Sequence, residues 1–265
     1  MSTSRSAVKS TPRSTAARNW PPKSVLEPGV GHMWRPVVAF DLHEVVVSFL
    51  EQFATYANSV YPDANINPRT MHHYDLGYNP EVNISPVEWG QLFKTFCMLS
   101  PGGYGDLPIV KGIIEQMNKI KAAGIGIEIW TWVPGATSVV SDDGMPLHSG
   151  IAQRETIDLL RKLGIPVNVD RDVKFIHPGA KARRLGEKHI PLLVEDNRST
   201  AVMVADMAHA AIPVPTSYNR ITCDNVLRLK GKDAAAAYAS DELSGRVIEF
   251  FAELRARGLV LEGRR

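Results

Sequence analysis

The apolar positions of this chain fall into short solid runs, separated by stretches in which they recur every three or four residues. The solid runs lie in "VVAFDLHEVVV" (37–47), "IGIEIWTW", "VKFIH", "IPLLVEDN" and "AIPVP". Each has the length and branched content of a strand buried on both faces. Between them, "LPIVKGIIEQMNKIKAAG" sets Val110, Ile113, Ile114, Met117 and Ile120 on one helical face and stops at Gly124. Helices are also predicted through "IAQRETIDLLRKLG", "GAKARRLGEK" and "STAVMVADMAHA", with a further short strand at "PVNVD". Strands alternating with helices of ten or so residues predict an α/β fold, a Rossmann-like parallel sheet joined by right-handed crossovers.

One stretch breaks the alternation. After the first strand, Val46, Phe49, Phe53 and Tyr56 stand at helical spacing, and the chain then loosens through Pro62, Pro68 and Pro80. "SPVEWGQLFKTFCML" restarts with Ser85 and Glu88 as a capping box and Pro86 at the first helical position. Residues 46–105 are therefore predicted to be a small helical cap inserted into a core of 35–45 and 106–230, and 231–265 to form C-terminal helices. Residues 1–34 carry Arg5, Lys9, Arg13, Arg18 and Lys23 against Glu27 with no apolar period. They predict a disordered basic tail, which leaves nucleic acid open as a partner.

Composition narrows the classes. With 44% hydrophobic and 22% charged residues and no apolar stretch long enough to span a bilayer, the chain reads as a folded domain without a membrane role. A net charge of +2 argues against a fold-wide nucleic-acid surface. Cys97 and Cys223 form no CxxC pair, which fits a reducing, cytoplasmic setting and argues against thiolate metal ligation. A homodimer stays open.

In open parallel sheets ligands bind beyond the carboxyl ends of the strands. Those ends carry Asp41 with His43, Thr131 with Trp132, a lysine (Lys181 or Lys174), and Glu195 with Asp196. Singly each is an ordinary turn or cap residue. As an ordered set they resemble the haloacid dehalogenase-like (HAD) hydrolases, from about Val37 to Asn219. Within that superfamily the chain is most similar to the 5'(3')-deoxyribonucleotidases, by the long insertion after the first motif, "YGDLPIVKGIIEQM", "IEIWTW", "LLVEDN" and the closing "SYN".

The resemblance implies a phosphomonoesterase in which Asp41 attacks phosphorus and forms an aspartyl-phosphate. It implies Mg2+ held by Asp41, the carbonyl of His43, Glu195 and Asp196. Thr131 would bond a phosphoryl oxygen, and Lys181, with Lys174 as the alternate, would offset negative charge. The resembled enzymes carry an aspartate where this chain has His43, the acid–base position, and Glu195 stands for another aspartate. A small phosphorylated substrate, a nucleoside monophosphate, would meet Phe49, Tyr104, Trp132 and Lys174, with Tyr74 and Tyr78 as weaker contacts. Trp89, Phe93 and Phe96 read as core, and His72, His73 and Asp75 as surface loop. The second reading is an impaired relative that binds a nucleotide or a partner.

Overall fold

The computed structural model describes residues 20–29, 31–73, 79–99, 103–134, 150–207, 209–219 and 226–261. The proposed tail through residue 19, together with Tyr74, Asp75, Tyr78 and Cys223, lies outside them. Five parallel strands make one sheet: β1 (Val37–Phe40), β2 (Gly126–Thr131), β3 (Val173–Phe175), β4 (Leu192–Glu195) and β5 (Ala210–Pro213). Their order is β3-β2-β1-β4-β5. The expected α/β fold with a Rossmann-like parallel sheet is what the chain adopts. The order turns back between β1 and β4, so their carboxyl ends flank the crevice in which such sheets bind ligands.

Side-chain alternation explains the two solvent-free faces. Val38, Phe40, Ile127, Ile129, Leu192 and Val194 belong to one hydrophobic core. The intervening Ala39, Trp130, Leu193 and Ala211 belong to a second, with Ala182, Leu185, Ala201 and Val204 packed on them. Those last four come from α7 (Lys181–Glu187) and α8 (Arg198–Asp206). The first face is covered by α4 (Ile113–Ala122), α5 (Ile151–Lys162) and α10 (Glu242–Ala256), all of which bury residues in the larger core. Gly124, at φ +73°, lets the chain leave α4 and enter β2. No helix among the described residues is long and apolar enough to cross a membrane.

The inserted segment holds α2 (Leu50–Val60) and α3 (Pro86–Phe96). Ser85 caps α3 reciprocally with Glu88. The two chain segments that tie the insertion to the core are joined to each other: Val47 bridges Ile109, Ser48 N donates to Pro108 O (2.8 Å), and Val110 N donates to Val46 O (2.9 Å). The short helix α9 (Ala234–Ala239) reaches back to the same place, where the Tyr238 hydroxyl donates to Val45 O (2.9 Å).

Three expectations need correction. Residues 20–34 are part of the domain: α1 (Lys23–Leu26) buries Val25, Trp20 packs on Phe250, and buried Trp34 donates its indole N–H to Val25 O (3.0 Å). The basic charge bias concealed two aromatic anchors there. "PVNVD" carries no strand, because the Asn168 side chain accepts from Arg171 N (3.1 Å) and starts the helical turn α6 (Val169–Asp172). The helix expected from Val46 begins at Leu50, since 42–47 fold as a tight loop with Glu44 at φ +55°.

Candidate active site

Asp41 follows β1 directly, its N–H donating to Val194 O of β4 (2.8 Å). Lys181, the first residue of α7, places Nζ 2.6 Å from Asp41 Oδ1 and 2.8 Å from Glu195 Oε2. Strand periodicity makes this meeting possible: Asp41 continues the face of Ala39, Glu195 that of Leu193, and α7 packs on that same face. All three side chains are buried. Burial alone would lower the Lys181 pKa, but the charges of Asp41 and Glu195 outweigh it and hold the ammonium above the ordinary lysine range.

Burial raises the pKa of both Glu195 and Asp196; the Asp41 charge adds to the first against Lys181, and the charges of Glu195 and then Asp41 add to the second against the Tyr218 hydroxyl. Glu195 Oε1 accepts from the N–H groups of Asp196 (3.2 Å) and Asn197 (3.1 Å). Asp196 Oδ2 accepts from the Tyr218 hydroxyl (2.5 Å), and Asn219 Nδ2 donates to Asp196 O (3.0 Å). The "SYN" segment thus fixes the acidic turn. Asp196 Oδ1 is buried with no partner among the described residues.

One oxygen each from Asp41, Glu195 and Asp196 lie within 4.8 Å of one another. Three carboxylates against one ammonium, with an orphaned carboxylate oxygen among them, fit a hard divalent cation, which prefers oxygen ligands.

The loop after Asp41 links the site to the cap. Glu44 Oε1 accepts from the N–H groups of Phe49 and Leu50, each at 2.7 Å, and so caps α2. Burial raises the Glu44 pKa, and those two N–H groups pull it back. His43 is buried, with its ring 4.8 Å from that of Phe49, and its Nε2 hydrogen-bonds the Tyr104 hydroxyl. Desolvation lowers its pKa to about 4, with Asp41 opposing and Lys181 adding to the shift. Burial likewise holds the Tyr104 phenol well above its usual range, with the Cys97 and Asp41 charges adding and the nearby Thr156 and Thr131 hydroxyls opposing.

A cavity of about 380 Å³ opens above these groups, floored by Asp41, His43, Lys181, Glu195 and Asp196. Its walls are Trp89, Phe93 and Lys94 of α3 on one side and Trp132 and His177 on the other. Trp89 and Phe93 stack at 5.6 Å, and Phe93 lies 6.1 Å from Trp132.

The structure therefore gathers Asp41, His43, Lys181, Glu195, Asp196 and Trp132 at one place and leaves four expected residues outside it. Lys174, paired with Trp130, shares the sheet face of Ala39 and Asp41 but sits two strands away on the edge strand β3, where its ammonium donates to Arg171 O (2.5 Å). Thr131 shares the face of Ile129 in β2, so it is fully buried behind the cavity and does not line it. Phe49 and Tyr104 are interior: Phe49 is enclosed by the rings of Phe53, Phe93, Phe96 and Tyr104, which leaves no face for a ligand.

Conversely Trp89 and Phe93, expected in the core, line the cavity, while Phe96 is core. Lys94 and His177 also line it and carry no motif in the sequence, while Asn197 and Tyr218 belong to the "LLVEDN" and "SYN" segments. An aromatic pair one helical turn apart, followed at once by a lysine, was the available signal for the first of these.

No protein-family model matches the chain, and no curated protein matches it. Among solved structures it is similar to a haloacid dehalogenase-like hydrolase from Xanthomonas campestris, at 14% identity and TM-score 0.44 over 82% of this chain and 99% of that one. A HAD family hydrolase from Deinococcus radiodurans R1 with bound phosphate and sodium is 17% identical at TM-score 0.41, over 86% and 99%. A β-phosphoglucomutase from Clostridium difficile is 13% identical at TM-score 0.44, over 82% of this chain and 99% of that one. Similarity at this level carries no argument about chemistry, which has to come from the site itself.

Proposed function

We propose that the chain is a HAD-type phosphohydrolase that transfers the phosphoryl group of a small phosphorylated molecule to Asp41 and then to water. The observation that carries this reading is the Asp41–Lys181–Glu195–Asp196 cluster at the crevice between β1 and β4, opening into an aromatic-walled cavity. Lys181 orients Asp41 through Oδ1 and offsets the charge that builds up when an anionic carboxylate meets an anionic phosphate. Mg2+ would be held by Asp41, Glu195 and Asp196 and would supply the charge neutralisation that one ammonium cannot. Tyr218 and Asn219 keep Asp196 oriented.

Trp89, Phe93 and Trp132 offer π-faces to a planar group on the substrate, such as the base of a nucleoside monophosphate, with Lys94 at the rim. Asp41→Asn is expected to abolish phosphate release and covalent labelling, and chelation of divalent ions to abolish release; turnover by Asp41→Asn would reject the proposal.

His43 favours a second reading, a member with impaired turnover that retains ligand binding. His43→Asp separates the two: a sharp gain in phosphate release marks a site lacking only an acid, and no gain marks a binding protein.

A further inference from the structure

Helix α3 turns two neighbouring rows of positions to the cavity. One row is Trp89 and Phe93, four residues apart, whose rings stack at 5.6 Å with 12° between their planes. The other is Gly90 and Lys94 at the same spacing, and both of these line the cavity too. Gly90 stands inside the helix, where glycine is the poorest former after proline. Nothing in the fold asks for it: its φ lies outside the left-handed region, and a β-carbon built there would meet no heavy atom within 4 Å. The missing side chain leaves clear space along the cavity wall.

The same row carries charge. Lys181 spends its ammonium on Asp41 and Glu195. Lys94 is exposed and makes no ion pair or hydrogen bond among the described residues, so it is the lysine of the cavity still free for a ligand. Side chains on a helix lean toward its N-terminus, so the Lys94 stem can lie over the bare turn at Gly90. On the opposite wall the His177 ring meets Trp132 edge-on at 5.6 Å, and its Nδ1 accepts from Gly179 N (3.2 Å). That bond leaves Nε2–H as the donor the ring can offer.

We infer that the substrate carries a second anionic group, a carboxylate or a further phosphate, joined through a planar spacer to the phosphoryl group that Asp41 attacks, and that Lys94 and His177 bind it at the cavity mouth. This rests on the phosphoryl-transfer reading above. The floor does not suit that group, because Asp41, Glu195 and Asp196 repel it and Lys181 is already bonded to two of them. The spacer stacks on the rings of the wall and passes where Gly90 has no side chain. Lys94 and His177 thus set specificity at a distance from the reacting atoms.

Matched phosphate esters given to the full chain test this: para-carboxyphenyl phosphate against its neutral carboxamide, and a nucleoside 3',5'-bisphosphate against the 5'-monophosphate. The more anionic member of a pair should show a KM lower by about 3- to 20-fold, the range of one or two charge-assisted bonds at an exposed rim. Lys94→Met should bring each pair to parity, and Lys94→Arg should keep the preference. Equal KM values within both wild-type pairs, or a preference that survives Lys94→Met, overturn the inference. Gly90→Ala should melt no lower than the wild type, and Gly90→Leu should raise KM for the nucleotides more than for the phenyl esters. A lower melting temperature for the first, or unaltered KM values for the second, overturns the role given to Gly90. Calorimetric titration with para-carboxybenzyl phosphonate and its carboxamide, which cannot release phosphate, separates the two claims. A preference for the carboxylate with no phosphate release from any ester keeps the second-anion site and rejects the phosphoryl-transfer reading, and release without preference does the reverse.

Discussion

Replacing Lys181 with methionine tests the charge balance of the site without invoking any reaction. The ammonium lies 2.6 Å from Asp41 and 2.8 Å from Glu195, and all three groups are buried. At an effective dielectric constant of about 20, each contact is worth roughly 6 kcal/mol of Coulomb attraction. Desolvation takes much of that back, and removing one partner of a buried pair costs about 3–5 kcal/mol because the other charge is stranded.

At about 2–4 °C per kcal/mol for a chain of this size, Tm should fall by roughly 6–20 °C. The loss should depend on pH. Glu195 and Asp196 have raised pKa values, so the folded state holds protons that the unfolded chain has released. Their stabilising contribution is complete below the unfolded carboxylate pKa and disappears as pH rises through the folded one. Without the neighbouring ammonium, the variant's deficit should grow from mildly acid to alkaline pH, and added Mg2+ should reduce it. Scanning calorimetry across that range, with and without chelator, measures both effects. A Lys181→Met protein that melts with the wild type at alkaline pH would refute the account of the cluster.

Tyr218→Phe removes the hydroxyl that holds Asp196 Oδ2, so divalent-ion affinity measured by titration calorimetry should weaken by about 10- to 100-fold. Trp89→Ala should raise KM for substrates with a planar group while leaving kcat near wild type, as steady-state kinetics would show. Buried His209, whose pKa burial lowers to about 4 with His32 adding to the effect, stays neutral in the fold while the unfolded histidine titrates near 6.5. Stability is therefore complete above about pH 6.5 and falls by about 3 kcal/mol as pH drops toward 4, and His209→Leu should flatten that limb in denaturant melts. Ser85→Ala removes the N-cap oxygen that accepts from Glu88 N at the start of α3 and should cost about 1 kcal/mol in the same assay.

The sheet and the acid-bearing strand ends were legible because their signals are local. Val37–Phe40 and Leu192–Glu195 are solid apolar runs that stop on carboxylates, and Ser85 with Glu88 announces α3. The facing of each strand end was not legible. Thr131 misses the crevice because its position faces the Ile129 side of the sheet, and Lys174 because β3 is the edge strand, and both follow from pairing partners far away in sequence. Choosing between Lys181 and Lys174 needed the packing of α7 on Leu193 and Ala39. The same limit applies to Phe49 and Phe93: both are aromatic and at helical spacing, yet only the second has a face left open once the cap folds.

The paired tethers at 46–48 and 108–110 carry the whole inserted segment over this crevice. Because they are bonded to each other, they form a single hinge plate rather than two independent strings. Glu44 bolts α2 to one end of that plate, and Tyr238 pins Val45 beside it. The plate begins a few residues beyond Asp41, and the chain between its two strands carries Trp89 and Phe93 over the crevice. The seating of the cap and the placement of Asp41 therefore share one short run of backbone.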